Sequence, residues 1–210
     1  QPNVGKSMLI NSISNARLRV GNFSGVTVSK EQVFFDYKNF HIEIVDLPGA
    51  YSLNDYTIEE KVTKDFLNNE KYDIILNVLD STNLQRNLLL TAELLTLDKK
   101  MIIALNMSDE AEKESILIDE IQLSKILGKP CIKTSAAKKN GITKLLDEIL
   151  LKFQSQKVPS KFFFSNVIEE EIENISRVLE ENKYETTETY RQISLGLLKE
   201  NKNIYKQFHD

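Results

Sequence analysis

From Tyr72 to Gln154 short apolar runs alternate with longer amphipathic stretches, and this alternation limits the fold more than any other feature of the chain. YDIILNVLDS, KMIIALNMSD and PCIKTSA are short apolar runs bounded by polar or breaker residues, the pattern of strands buried on both faces. NLQRNLLLTAELLTL, IDEIQLSKILG and GITKLLDEILLKFQ repeat apolar residues at helical spacing, and Gly128 stands where a helix C-cap belongs. Strand and helix in this rhythm predict an α/β fold with a mostly parallel, doubly wound sheet. Upstream, KEQVFFDYKNFHIEIVD reads as two strands around a hairpin turn at DYKN, which adds one antiparallel edge strand. TIEEKVTKDFLNN reads as an amphipathic helix, and GKSMLINSISNAR as a helix to about Arg17. LRVGNFSGVTVS has two glycines and no sustained period, so it reads as a loop.

After Pro159 the pattern changes. IEEEIENISRVLEEN and TTETYRQISLGLLKENKNIYKQF carry apolar residues at helical spacing and contain no strand-like run. The division expected is a sheet domain over 1–157 and a small all-helical one over 158–210, of two to four helices, too small for a large core of its own and packed on the first. The net charge of −4 argues against a broad nucleic-acid-binding face. A single cysteine, Cys131, forbids an intrachain disulfide, and its apolar run reads as a buried strand. His41 and His209 lie far apart, with no zinc-type spacing around them. No apolar run is long enough to span a bilayer.

In open parallel sheets ligands bind at the carboxyl ends of strands. The chain opens QPNVGKSMLI, which is most of a phosphate-binding loop, G-x-x-x-x-G-K-[ST], with Gln1 to Val4 in the variable positions and Gly5, Lys6 and Ser7 completing it. The first glycine and the strand before it are expected upstream of Gln1. Backbone N–H groups around Asn3, Val4, Gly5, Lys6, Ser7 and Met8, at a helix N-terminus, suit a β-phosphate, and the Lys6 ammonium suits β- and γ-phosphate charge. The Ser7 hydroxyl suits magnesium, supported through water by Asp46 at the start of DLPG. The N–H of Gly49 in the same motif can reach a terminal phosphate, and Thr27 is the candidate to cap magnesium and that phosphate. NMSD ends a strand, so Asn106 and Asp109 point into the loop where a base would sit, and the Asp109 carboxylate can accept the paired N1–H and N2–H donors of guanine. In TSA, Ser135 and the Ala136 N–H follow the next strand, where that N–H could meet guanine O6. Each motif alone is an ordinary turn; their order and their positions at strand ends make the set specific.

The ordered set resembles the GTPase superfamily related to Ras and Era. PNVGKS, RLRVGNFSGVTVSKE, DLPGAYSLNDYTIEEKVTKDFL, STNLQRNLLLTAELL, ALNMSDEAEK and LSKILGKPCIKTSA look like the cytosolic GTPase domain of the ferrous iron transport protein B family, over about 150 residues. The tail is similar in placement to that family's helical GDI-like domain. The resemblance implies a Ras-like P-loop GTPase that binds GTP and GDP with Mg2+. It implies a membrane transport domain of the same longer protein as partner, at the cytoplasmic face of a bacterial inner membrane, with ferrous iron transport regulated by slow hydrolysis. Homo-oligomerisation stays open. Asn3 matches the asparagine with which potassium-activated GTPases help to hold K+, caged further by backbone carbonyls such as those of Gly21 and Phe23; its alternative role is to support the turn. Two departures stand out. Ala50 replaces the water-orienting glutamine of Ras-like proteins, which implies slow turnover. Met107 replaces the lysine that stacks on the base in many GTPases, which implies weaker binding with guanine preference kept by Asp109. Glu59 and Glu60 read as a solvated helix start. The alternative is a soluble GTPase of ribosome assembly or tRNA modification, like Era or MnmE, which share PNVGKS; a further one is an inert nucleotide-binding module.

Overall fold

The computed structural model describes residues 2–13, 17–23, 26–54, 56–156, 161–186, 188–206 and 208. The expected division at 157/158, Gln1 and His209 lie outside the described residues.

The parallel part forms as the periodicity predicts. Strands β4 (Ile75–Asp80), β5 (Met101–Asn106) and β6 (Cys131–Lys133) lie side by side in that order, with Ile75 opposite Met101 and Ile103 opposite Cys131. All of β5 is buried because both its faces are covered. Ile102 and Ala104 point into one core, with Val4, Leu9, Val78, Leu145 and Leu146. Met101, Ile103 and Leu105 point into the other, with Leu67, Leu79, Leu90, Leu94 and Leu127. Helices α1 (Lys6–Ser12) and α6 (Ile142–Gln154) therefore cover the first face, and α2 (Ile58–Asn69), α3 (Leu84–Leu95) and α5 (Glu120–Leu127) the second. A short α4 (Ser108–Lys113) follows β5.

The antiparallel part is larger than the expected single edge strand. Strands β1 (Arg17–Asn22), β2 (Ser29–Tyr37) and β3 (Phe40–Asp46) make a separate three-stranded sheet. The β2–β3 turn is Lys38–Asn39, with φ 46° and 66°, closing on the Tyr37–Phe40 pair. Two successive positive φ values match the right-handed twist of a hairpin. The loop read for LRVGNFSGVTVS is corrected at its start. Arg17–Asn22 is a strand because β2 offers it a ladder, Leu18 opposite Val33 and Gly21 opposite Lys30. Its own alternation, Arg17-Leu18-Arg19-Val20, lasts only four residues before Gly21 and Asn22, too short a pattern to mark the strand without the partner that pairs with it. Phe35, Tyr37 and Ile44 pack against the first core and join this sheet to the parallel one.

Among the described residues the tail holds three helices, α7 (Asn166–Glu181), α8 (Tyr190–Leu198) and α9 (Lys202–Lys206). Leu179, Ile193 and Ile204 form their own small core. Polar links tie this unit to the first: Lys64 of α2 pairs with Glu188 at 2.8 Å, and Lys199 with Glu93 of α3 at 2.9 Å. No described helix is long and apolar enough to cross a membrane.

Candidate nucleotide site

The strand ends bring the motifs together. Gly5 caps α1 with φ 76°, and a Cβ there would stand 2.6 Å from Asn106 Nδ2. Only glycine meets both the left-handed backbone and the close approach. Pro2, Asn3, Gly5, Lys6, Ser7, Met8 and Gly49 line an open cleft of about 430 Å³, which is within the size range of small-molecule sites. Gly49 of DLPG lies against Pro2, since a Cβ on it would come within 3.0 Å of the Pro2 Cγ and 3.1 Å of its backbone. The DLPG loop and the phosphate loop thus face one cleft.

Lys6 and Asp46, expected on either side of a phosphate–magnesium group, meet directly. Lys6 Nζ lies 3.2 Å from Asp46 Oδ1 and also donates to the Leu47 carbonyl. Ser7 is exposed on the cleft wall, beside Lys6. A hydroxyl there with a carboxylate nearby is the donor set of a magnesium held mainly by phosphate and water. Among the described residues no group of three or more His, Cys, Asp or Glu side chains is arranged to hold a metal.

Asn106 holds the site together rather than facing a base. It is 1% exposed, its Nδ2 donates to the Val4 carbonyl at 2.9 Å, and its Oδ1 accepts from the Ala136 N–H at 3.1 Å and Thr134 Oγ1 at 3.4 Å. A buried amide must be satisfied internally. This corrects two expectations: the Asn106 amide is engaged by the protein, and the Ala136 N–H read as a donor to O6 is turned onto Asn106. Val4, 2% exposed, belongs to the core and contributes its carbonyl.

Asp109 opens α4 beside the same loop. Ser135 hydrogen-bonds it and Lys138 Nζ lies 3.3 Å from its Oδ2; these two hold its carboxyl below the usual range, the serine bond foremost and burial opposing. Ser135 itself is pinned by exchange of backbone bonds with Asn140 at 3.0 Å each way. Met107 takes φ 57° at the start of α4, and its Cε would be 3.4 Å from a Cβ on Gly5.

Gly21, Phe23 and Thr27 are not among the residues lining the cleft. Gly21 is paired in the β1–β2 ladder, and the Phe23 carbonyl accepts the Val26 N–H at 3.3 Å. Phe23 is buried and packs edge-on against Phe66 of α2 at 6.0 Å, which draws its backbone toward that helix. Of the three residues expected around a monovalent cation, Asn3 lines the cleft, and Gly21 and Phe23 do not. Thr27 is exposed on the loop before β2.

The structure adds two carboxylates that the sequence did not single out for this role. Glu60 is 7% exposed rather than solvated, accepting from Ser52 N and Tyr56 N at 3.2 Å and Ser52 Oγ at 2.9 Å. Glu93 accepts from Leu53 N at 2.6 Å. Both fasten the segment after DLPG. The signal for Glu93 was its lone charge within the apolar run LLLTAELLTL.

The sequence profile described as "Ferrous iron transport protein B" matches residues 1–149. The Fe(2+) transporter FeoB of Helicobacter pylori (strain 26695) is 56% identical over 173 residues, which cover 78% of this chain and 27% of that protein. The Campylobacter jejuni Fe(2+) transporter FeoB is 50% identical over 169 residues, covering 80% and 28%. The chain thus spans little more than a quarter of these relatives. The crystal structure of the cytosolic domain of the Thermotoga maritima FeoB iron transporter in a GDP form superposes with a TM-score of 0.90 at 33% identity, over 98% of this chain and 81% of that one. Its GMPPNP form gives 0.87 at 33% identity, over 98% and 81%. With its fold and motif order, the chain belongs to the ferrous iron transport protein B family.

Proposed function

We propose that the chain binds guanine nucleotide and slowly hydrolyses GTP, and that this controls ferrous iron passage through the membrane part of a longer protein at the cytoplasmic face of the inner membrane. The observation that carries the reading is Asn106, which bonds the phosphate loop at Val4 and the base-side loop at Ala136 with one buried amide. A base held at Asp109 and phosphates held at Gly5 to Met8 then share one rigid frame. The matches to cytosolic domains in GDP and GMPPNP forms support the same ligand class. We read 1–157 as the nucleotide-binding unit and 158–210 as a GDI-like helical unit.

The roles follow from the geometry. The N-terminus of α1 and the N–H groups of Gly5, Lys6 and Ser7 bind phosphate oxygens. Lys6 exchanges Asp46 for phosphate charge, which frees Asp46 to order water around Mg2+ beside Ser7. Bound magnesium supplies neutralisation of charge on the β- and γ-phosphate oxygens. Thr27, brought in from the loop before β2, and the Gly49 N–H sense the terminal phosphate; that segment and the one after DLPG are the parts that change with nucleotide. Water attacks the terminal phosphorus and GDP leaves with inorganic phosphate. Ala50, 2% exposed and apolar, cannot orient that water, so turnover is slow. Asn3, exposed at the cleft, would help to hold K+, which would supply positive charge beside the phosphates.

The test is calorimetric binding of GDP against ADP, then hydrolysis in potassium against sodium for wild type and Asn3→Ala. Guanine-selective binding and several-fold potassium stimulation lost in the variant are expected. Equal binding of ADP would overturn the nucleotide reading, and equal rates in both salts would reduce Asn3 to a turn residue.

A further inference from the structure

The base-side carboxylate carries a cation of its own. Lys138 Nζ lies 3.3 Å from Asp109 Oδ2, with the lysine side chain 57% exposed and the aspartate 14%. The loop bearing Lys138 is fixed by its backbone. The Lys138 N–H donates to Ser135 Oγ at 3.2 Å, and Lys139 turns with φ 53°. Asn140 and Ser135 close the loop with paired bonds. Ser135 also bonds Asp109, so Asp109, Ser135 and Lys138 form a closed ring of contacts. The position two residues before Asp109 supplies no charge, because Met107 is apolar and its methyl is laid toward Gly5. Lys138 is thus the cation set on the carboxylate that would read a base.

We propose that Lys138 sets the margin by which this site prefers guanine to hypoxanthine, because its ammonium holds the carboxylate oxygen that a second base donor requires. The inference rests on the reading of the chain as a guanine-nucleotide binder. Guanine offers N1–H and an exocyclic N2–H side by side, and a carboxylate accepts one on each oxygen. Hypoxanthine offers N1–H alone. With Oδ2 engaged by Lys138, the second donor of guanine must displace the ammonium or share its oxygen. Ser135 competes with either base alike, whereas the ammonium competes with the second donor that only guanine brings, so Lys138 weighs on guanine more than on hypoxanthine. An exposed ion pair is weak, so the tax is modest, and it shrinks as salt screens the pair.

The test measures binding of GDP and IDP to the full 210-residue chain at one fixed salt, for wild type, Lys138→Met and Lys138→Arg. In Lys138→Met, GDP is expected to tighten about two- to five-fold while IDP stays unchanged, so that the GDP-to-IDP preference widens. Lys138→Arg should keep the wild-type preference, because it keeps the charge. A structural role for Lys138 would move both nucleotides together. An unchanged preference in Lys138→Met, or weaker GDP binding, overturns the proposal while leaving nucleotide binding intact. A wild-type chain that binds neither nucleotide overturns the nucleotide reading and this inference with it.

Discussion

Asn106 Nδ2 donates to the Val4 carbonyl at 2.9 Å, joining positions 102 residues apart. The same amide receives the Ala136 N–H, so one side chain fixes the distance between the phosphate loop and the base-side loop. Asn106→Ala leaves the Val4 carbonyl and the Ala136 N–H without that partner and opens a small void. The expected cost is about 2–4 kcal/mol, a large part of the typical stability of a domain. Urea unfolding checks it, and a variant within about 1 kcal/mol of wild type would show the tie to be dispensable.

Gly5 and Gly49 separate two reasons for glycine. Gly5 needs φ 76° and has Asn106 Nδ2 2.6 Å from where a Cβ would be. Gly49 has no such backbone demand and only crowds Pro2 at 3.0–3.1 Å. Gly5→Ala should therefore lower stability by about 1–3 kcal/mol and abolish phosphate binding. Gly49→Ala should melt near wild type and weaken the triphosphate more than the diphosphate, since it moves the loop that meets the terminal phosphate. Thermal melts with and without GDP and GMPPNP distinguish the two. Equal losses for both variants in the melt would refute the distinction.

What was legible in the sequence and what was not have the same physical origin. Period and burial on both faces identify β5, because Met101, Ile103 and Leu105 serve one core and Ile102 and Ala104 the other. The strand-end motifs were legible because each needs particular residue types at a topologically fixed place. Strand β1 was not, since Gly21 and Asn22 form a ladder only through Lys30 and Ser29, which lie beyond the reach of a local pattern. Glu60 looked like any acid in a first helical turn; its burial depends on where Ser52 and Tyr56 fold back. Asn106 looked like a base contact, and its inward bonds depend on two loops distant in sequence.

Glu93 lies between the two units, taking Leu53 N on one oxygen at 2.6 Å and Lys199 on the other at 2.9 Å. Its side chain is 8% exposed against 41% for the lysine. Lys199→Met strands a nearly buried charge and should cost about 1–3 kcal/mol, less than a fully buried pair because water reaches the lysine. Glu93→Gln keeps an acceptor for Leu53 N and loses only the charge. Combined with Lys199→Met it should restore part of the loss, so the double variant is more stable than the sum of the singles predicts. A double-mutant cycle in urea measures this, and strict additivity would mean that the pair is not coupled.

Arg191 grips Glu169 with two bonds of 2.7 Å and the Phe162 carbonyl with one of 2.8 Å, fastening α8 to α7 and to the segment before it. The guanidinium, and behind it the Phe164 N–H, hold the Glu169 carboxyl below its usual 4.5, against the opposing effect of burial. A carboxyl depressed in the folded state contributes stability that is full above its unfolded value and is lost as pH falls through its folded value. The helical unit should therefore weaken below about pH 4.5 and no higher on account of this group. Glu169→Gln, which keeps the shape but not the charge, should cost about 1–2 kcal/mol at neutral pH. Its deficit should close as acid protonates the wild-type glutamate. Urea titrations from about pH 7 to about pH 3 on both proteins test the sign. A gap that stays constant across that range would place the stabilisation in packing rather than in the ion pair.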